Sequence, residues 1–346
     1  MSNLNIISQQ ELNQLFTKRD GETKLGENVQ VVDGVDWQTS LNRSDAQFVL
    51  LGIPEDIGVR ANYGVGGTHT LWEPALKAIL NVQHTDLLQG EKLLILGSFD
   101  FSEMMKRSAN MEVEGMRMLV NEIDDLVYPV IKAICDSGKT PIIIGGGHNN
   151  AYPILKGISK SKGTAINCIN LDAHTDYRAI EGRHSGNGFR YAKMDGYLKR
   201  YAMVGLHRSY NSQNVLNDIT SDPDIHFCFY EDIFLQMKSE LYGAIDEAIR
   251  FTAGTVTGVE LDLDCIEHTL SSAATPCGFT TLQARQFLLQ TIHFANVGYL
   301  HLTEGIVSRN DGREDPMTAK LISYLVTDFI RAATNKPTVF IKETEM

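Results

Sequence analysis

Short apolar runs alternate with longer amphipathic segments along most of this chain of 346 residues. The runs are apolar throughout, which is typical of strands buried on both faces of a parallel sheet. They predict strands at Phe48–Ile53, Leu93–Leu96, Pro141–Ile144, Ala165–Leu171, Tyr201–Gly205, Val256–Leu263 and Val297–Thr303. Helical periodicity predicts helices at Trp72–Leu80, Glu112–Cys135, Asp232–Phe251, Thr281–Phe294 and Pro316–Ala332.

This alternation of strands and helices indicates a single α/β domain with three layers, α/β/α, around a central, mostly parallel sheet. Residues 1–45 are polar and irregular, and we expect them to form an N-terminal extension packed on the main domain of residues 46–346. In such sheets ligands bind beyond the carboxyl ends of the strands. The strand ends are therefore where functional residues are expected.

Composition excludes several classes of function. Asp and Glu number 43 against 31 Lys and Arg, so the formal net charge is −12. A chain without a basic excess is poorly suited to bind nucleic acid or an anionic membrane. The sequence shows neither an apolar run of membrane-spanning length nor an apolar signal-peptide core. Five dispersed cysteines favour a reduced, cytoplasmic protein.

An Asp-Ala-His-Thr-Asp segment follows the strand Ala165–Leu171. Asp172, His174 and Asp176 occupy alternate positions, so extended geometry would place all three on one side. Two carboxylates and an imidazole crowded there would perturb each other's pKa unless a cation lies between them. A polar loop with a helix cap is the structural alternative for this motif taken alone.

Three other predicted strands end in similar residues. Asp262 and Asp264 share one side of their strand with Glu260 as a supporting residue, His148 follows three glycines, and Glu304 ends the fourth strand. Taken alone, each is an ordinary strand end. The two histidines and four aspartates together offer nitrogen and oxygen ligands without thiolate, which suits Mn²⁺. Four aspartates balance the charge of two divalent ions, and two-metal centres commonly catalyse hydrolysis.

The sequence resembles the ureohydrolase superfamily of arginases, agmatinases and formimidoylglutamases. Gly-Gly-Gly-His at 145–148, Asp-Ala-His-Thr-Asp at 172–176 and Asp-Leu-Asp at 262–264 look like its three signature motifs, in matching order and spacing. The resemblance covers residues 48–332 and implies an arginase-like fold with two Mn²⁺ ions per subunit. The metal ligands that it implies are His148, Asp172, His174, Asp176, Asp262 and Asp264.

The resemblance also implies catalytic roles. Asp176 would orient the hydroxide nucleophile, and Glu304 would grip the cationic amidinium or guanidinium group. His184 is a candidate proton shuttle, since Phe189 stands where arginases carry a histidine. Segments 58–64 and 185–190 look most like the formimidoylglutamase branch. The expected substrate-binding residues are Arg60, Asn62, Arg178, Ser185, Asn187 and Arg190.

These features predict a manganese hydrolase of linear amidines that converts N-formimidoyl-L-glutamate to L-glutamate and formamide in histidine degradation. The substrate has two carboxylates, which arginine side chains would bind. One alternative is an agmatinase, guanidino-acid hydrolase or arginase, which would release urea. Another is a catalytically silent, arginase-like binding protein. A single-zinc amide hydrolase of the histone-deacetylase type fits less well, because that group uses a different His-His pair.

By analogy with the family, we expect a homo-oligomer, either a trimer or a hexamer. The expected partner is a small amidine or guanidine. Nucleic acid and membranes are not expected partners.

Overall fold

The structure, a computed structural model, describes residues 3–32 and 36–335. A sheet of ten strands forms the centre of this part of the chain. The strands are β1 (Leu4–Ile6), β2 (Gln30–Val31), β3 (Phe48–Gly52), β4 (Leu93–Phe99), β5 (Thr140–Ile144), β6 (Ile166–Leu171), β7 (Leu198–Leu206), β8 (Ile225–Phe229), β9 (Thr257–Asp262) and β10 (Val297–Thr303). Their order is β1-β4-β3-β5-β10-β9-β6-β7-β8, and β2 also pairs with β4.

Among the described strands, only the pairing of β1 with β4 is antiparallel. Parallel neighbours require crossover connections, most of which contain helices. The helices are α1 (Gln9–Leu12), α2 (Trp37–Arg43), α3 (Ile57–Arg60), α4 (Trp72–Leu80), α5 (Ser102–Ser108), α6 (Val113–Asp136), α7 (Ala151–Lys162), α8 (Gly188–Met194), α9 (Gln213–Ser221), α10 (Tyr230–Phe234), α11 (Leu241–Phe251), α12 (Thr281–Phe294) and α13 (Pro316–Thr334).

Each face of the sheet has its own apolar core. Along β3, Leu50 belongs to one core while Val49 and Leu51 belong to the other, because successive side chains point to opposite faces. Helices α4, α11, α12 and α13 cover the first face, and α6, α7 and α8 cover the second. The predicted three-layer α/β/α architecture is confirmed. No helix of the described residues is both long and apolar enough to cross a membrane.

The seven predicted strands are present with small shifts at their ends, but one predicted helix is wrong. The segment Asp232–Phe251 is divided into α10 and α11. Met237, between them, has a φ of 51° and so lies in the left-handed region, where a right-handed helix cannot continue. The strand β8 and the helix α7 were not predicted.

The N-terminal segment contributes directly to the sheet. Strand β1 pairs with β4 through Leu4 and Phe99, and β2 pairs with β4 through Gln30 and Leu94. The expectation of irregular chain is therefore wrong for these two strands. The domain boundary at residue 46 stays a prediction, and residues 1–2, 33–35 and 336–346 of the predicted segments lie outside the described residues.

Four neighbouring parallel strands position the polar residues singled out in the sequence. In sheet order they are β5, β10, β9 and β6. His148 follows β5, Glu304 follows β10, Asp262 ends β9 and Asp172 follows β6. Because parallel strands bring their carboxyl ends to one edge, these four residues meet at the middle of that edge.

Candidate metal centre

A glycine turn carries the chain from β5 to His148. Gly145 and Gly146 have φ values of 86° and 76°, a region that L side chains rarely adopt. A Cβ atom on Gly146 would also lie 2.4 Å from Asn150 Nδ2. The turn leaves His148 fully buried, with its backbone N–H donating to Glu304 Oε1 at 2.7 Å.

His148 is the centre of a first cluster of metal-ligating groups. Its Nδ1 lies 2.7 Å from Asp176 Oδ2. The same atom lies 3.1 Å from Asp262 Oδ2 and 3.2 Å from Asp172 Oδ2. Within the described chain, His148 Nδ1 has no aligned hydrogen-bond partner despite these distances. A buried ring nitrogen that faces three carboxylate oxygens without hydrogen-bonding to them is an arrangement that a cation between the groups would stabilise.

A second cluster lies beside the first and shares Asp172 with it. His174 Nδ1 is 3.2 Å from Asp264 Oδ2 and 3.6 Å from Asp172 Oδ1. Asp262 reaches this cluster through its Oδ1, which accepts the backbone N–H of Asp264 at 2.8 Å. The structure therefore brings all six predicted ligands into two adjoining groups.

The crowding of these carboxylates perturbs their ionisation. Burial and the neighbouring charge of Asp172 raise the pKa of Asp176 to about 6. Burial likewise raises the pKa of Asp262, and Asp264 and Asp172 add to the shift. Burial opposes ionisation of Asp172 too, but the nearby imidazoles of His148 and His174 lower its pKa overall. These buried carboxylates ionise together only at an energetic cost. Because bound cations would offset that cost, the site should bind cations strongly.

Two supporting residues inside the sheet were not predicted. Asn170 Nδ2 donates to Asp172 Oδ2 at 2.9 Å and lies 3.0 Å from the hydroxyl oxygen of Tyr201. That hydroxyl donates to the carbonyl oxygen of Thr175 at 3.1 Å. A polar Asn inside an otherwise apolar strand is the sequence signal that could have identified the first of them.

Backbone geometry sets apart two residues of the centre. Asp176 and Glu304 have φ values of 44° and 62°, in the left-handed region that residues other than glycine seldom occupy. Burial raises the pKa of Glu304 to about 8, with Asp264 adding to the shift. Among the described residues, Glu304 Oε2 is buried without a hydrogen-bond partner. Strained backbone and unpartnered polar atoms of this kind are frequent at functional sites.

A cavity of about 620 Å³ opens above the two clusters. Its floor includes His174, Asp176, Asp262, Asp264 and Glu304. Four of the six predicted substrate residues line it, namely Asn62, Arg178, Ser185 and Arg190.

Arg178 is the more accessible of the two arginines in the cavity, with 48% of its side chain exposed. Its Nη1 donates to Asn62 Oδ1 and its Nη2 to Glu181 Oε1, both at 3.1 Å. Asn62 Nδ2 in turn lies 3.3 Å from Ser185 Oγ. These contacts join the segment after α3 to the loop before α8 at the mouth of the cavity.

Arg190 is held more firmly by the protein. Its guanidinium lies 4.5 Å from the ring centroid of Tyr177, and its Nε donates to the Tyr177 carbonyl oxygen at 2.8 Å. Its Nη2 pairs with Asp218, another residue of the cavity wall. Arg190 has 21% of its side chain exposed, so it is less accessible to a ligand than Arg178.

Two predicted substrate residues lie outside the cavity lining. Arg60 Nε donates to Asp56 Oδ1 at 2.7 Å, and its Nη1 donates to the Ser108 carbonyl oxygen at 3.2 Å. Asn187 is fully buried, and its Oδ1 accepts from Arg183 Nη1 at 2.9 Å. These contacts make both residues parts of the scaffold rather than of the cavity wall.

His184 is buried behind the cavity. Its Nε2 lies 3.0 Å from Glu181 Oε1, and its Nδ1 accepts the backbone N–H of Gly186 at 3.1 Å. Burial lowers the pKa of His184 to about 4. Because both ring nitrogens are engaged and the ring is away from the cavity lining, the geometry does not favour the predicted proton shuttle.

The fold and the site define an α/β protein with histidine and carboxylate clusters at the ends of its central strands. Residues 46–330 match the model of the Arginase family. The chain belongs to the arginase family.

Solved structures share this fold. Formimidoylglutamase from Bacillus subtilis is 17% identical with a TM-score of 0.74, over 93% of this chain and 95% of that one. Formiminoglutamase from Trypanosoma cruzi, solved with Mn²⁺, is 19% identical with a TM-score of 0.70, over 91% and 100% of the two chains. At these identities the likeness shows the fold alone.

Curated relatives include formimidoylglutamase from Streptococcus pyogenes serotype M3, which is 29% identical over 162 residues. That match covers 44% of this chain and 48% of the relative. The chain thus spans about half the length of the curated relatives that it matches.

Proposed function

We propose that this chain is a binuclear manganese hydrolase of linear amidines, and that it cleaves N-formimidoyl-L-glutamate to L-glutamate and formamide. The observation that carries the proposal is the pair of adjoining clusters on the cavity floor, which share Asp172. Family membership and the formimidoylglutamases among the relatives support the choice of reaction.

The residues of the centre fit two divalent ions. One ion would be held by His148, Asp172, Asp176 and Asp262, and the other by Asp172, His174, Asp262 and Asp264. Among the described residues, the buried Asp264 Oδ1 has no hydrogen-bond partner, which leaves it available to a metal ion. Nitrogen and oxygen ligands suit Mn²⁺, which would supply an activated water and polarise the amidine.

Two carboxylates of the chain would handle the charges of the reaction. Glu304 Oε1 is fixed by the His148 N–H, which leaves Oε2 to accept an N–H of a cationic amidinium. Asp176 lines the cavity beside the first cluster, so its carboxylate would be placed to accept the proton of the activated water. We propose that Asp176 passes this proton to the departing nitrogen.

The cavity walls would bind the rest of the substrate. Arg178 presents a half-exposed guanidinium, and Asn62 and Ser185 add polar groups beside it. A guanidinium binds a carboxylate through two parallel hydrogen bonds, so Arg178 fits one carboxylate of formimidoylglutamate. Arg190 is the candidate for the second, provided that the substrate displaces Asp218 from it.

A guanidino compound is the second candidate substrate. Glu181 and Asp218 also line the cavity, so its wall carries negative as well as positive groups. A cationic substrate such as agmatine would use Glu304 in the same way and would release urea. The acidic residues of the wall favour this alternative.

The test is an activity panel on the manganese-loaded protein with formimidoylglutamate, arginine, agmatine and short guanidino acids. We expect formamide release from formimidoylglutamate with the highest kcat/KM of the panel. Urea release from a guanidino compound as the dominant activity would establish the alternative. Manganese binding without turnover of any of these compounds would instead indicate a binding protein.

We infer a role in histidine degradation from the proposed reaction, and a cytoplasmic location from the five dispersed cysteines. The trimer or hexamer expected for the family stays a prediction.

A further inference from the structure

A second group of polar side chains lies buried directly beneath His148. Glu260 Oε1 accepts the hydroxyl hydrogen of Tyr299 at 2.6 Å, and Glu260 Oε2 lies 2.6 Å from His301 Nδ1. The same Oε2 is 3.4 Å from His148 Nε2, a close approach without the alignment of a hydrogen bond among the described residues. All four residues are fully buried. We call Glu260, Tyr299 and His301 the lower polar cluster.

The sheet builds this cluster from two neighbouring strands. Glu260 on β9 is in register with His301 on β10, so their side chains lie on the same face. Tyr299, two residues before His301, crosses over Gly258, where a Cβ atom would lie only 2.0 Å from the Tyr299 ring. The glycine therefore leaves the space that allows the Tyr299 hydroxyl to reach Glu260.

The hydrogen bonds within the lower polar cluster do not account for all the contacts of Glu260. A carboxylate in the core is costly to bury unless hydrogen bonds compensate it. Tyr299 and His301 compensate Glu260, yet its Oε2 still faces the ring nitrogen of His148 that points away from the first metal cluster. Metal-ligating histidines commonly direct their second nitrogen to a carboxylate, which fixes the ring and its tautomer.

We propose that Glu260 is a positioning residue for manganese binding, and that it orients His148 so that Nδ1 faces the first cluster. The proposal rests on the proposed function, since it takes His148 as a metal ligand. Tyr299 and His301 hold the carboxylate in place, and the carboxylate holds the imidazole. The effect belongs to one metal site, because His174 of the second cluster makes its contacts with Asp264 and Asp172 instead.

The test compares Mn²⁺ binding by the full chain and its variants, with free Mn²⁺ measured by electron paramagnetic resonance. Glu260→Gln keeps the shape of the side chain but turns an N–H donor toward His148 or His301. We expect binding at one of two sites to weaken about 10- to 100-fold, the usual effect of losing such a support. His148→Asn identifies the affected site, and Glu103→Gln, on the exposed surface of α5, is the matched control and should bind as the wild type does.

The outcomes are distinguishable. Wild-type binding of two ions with unchanged affinity in Glu260→Gln would overturn the inference and leave the proposed function standing. A third ion, lost in Glu260→Gln while the other two remain, would overturn it by making the lower polar cluster a metal site. Absence of Mn²⁺ binding by the wild type would overturn the proposed function, and the inference with it.

Tyr299→Phe keeps the test decisive if Glu260→Gln does not fold. It removes one hydrogen bond to Glu260 and leaves the carboxylate in place. Several-fold weaker binding at the His148 site supports the positioning role, and wild-type affinity at both sites contradicts it.

Discussion

Arg183 and Asp124 form a bidentate ion pair in the interior of the protein. Arg183 Nε lies 2.9 Å from Asp124 Oδ2, and Arg183 Nη2 lies 3.3 Å from Asp124 Oδ1. The same guanidinium donates to the Asn149 carbonyl oxygen at 2.8 Å and to Asn187 Oδ1 at 2.9 Å. This single side chain therefore links α6, the turn after β5 that carries His148, and the loop at the cavity mouth.

Removing Arg183 should destabilise the whole fold. Arg183→Met leaves the Asp124 carboxylate buried and unpaired, which costs about 3–5 kcal/mol of unfolding free energy. The measurement is urea unfolding of the wild type and the variant. Arg107→Met breaks an exposed pair with Glu122 and should cost less than about 1 kcal/mol. Equal losses in the two variants would contradict the account of the buried pair.

His184 should make stability depend on pH. Burial lowers its pKa in the folded state to about 4, whereas an unfolded histidine titrates at about 6.5. Between these values the unfolded chain binds a proton that the folded chain does not, so stability should rise with pH from about 4 to about 6.5. Over this range of pH, His184 should change the free energy of unfolding by an amount on the order of 2–3 kcal/mol.

The measurement is the unfolding free energy of metal-free wild type and His184→Gln across this range of pH. The difference between them should change with pH below about 6.5 and become constant above it. His293→Gln, a substitution on α12 away from the cavity, should follow the wild type. A difference between wild type and His184→Gln that stays constant throughout would show that His184 is not held neutral by burial.

Arg178→Ala should raise the KM for formimidoylglutamate about 10- to 100-fold, the value of one charge-assisted contact, with a smaller change in kcat. The reason is that Arg178 would bind a carboxylate remote from the scissile bond, in both ground state and transition state. Steady-state kinetics check this, with Arg107→Ala as the control. An unchanged KM would remove Arg178 from the substrate site, and a lower KM for agmatine would favour the guanidino alternative.

Asp262→Asn should abolish turnover. Asp262 lies 3.1 Å from His148 Nδ1 and accepts the N–H of Asp264, so it contacts both clusters. Without the activated water that the metal ions would supply, kcat should fall by about 10³-fold or more. The variant should also bind less manganese than the wild type by elemental analysis. Normal activity in a correctly folded Asp262→Asn protein would contradict the shared role of this residue.

The central strands and their polar ends were predictable because two physical rules act together. Strands β6 and β9 are mostly apolar because they are buried on both faces, and their parallel arrangement brings Asp172 and Asp262 to the same edge. The sequence therefore indicates which residues meet, although these two lie far apart along the chain. Alternation along β9 likewise places Glu260 on the same face as Asp262.

Directions of side chains outside the sheet were not predictable in the same way. Arg60 lies in a motif that resembles a substrate-binding segment of the family. Its guanidinium instead donates to the carbonyl oxygen of Ser108 at the end of α5, and so it does not line the cavity. The ion pair of Arg183 with Asp124 joins residues 59 positions apart, with no periodic pattern to reveal it. Such contacts depend on how helices pack, which hydrophobic periodicity does not specify.

We propose that two manganese ions, held by the clusters around Asp172, make this chain a hydrolase. The most direct measurement titrates Mn²⁺ into metal-free protein while following formamide release from formimidoylglutamate. We expect activity to rise until two ions are bound per chain and then to stay constant. Full activity with one ion per chain, or with none, would contradict it.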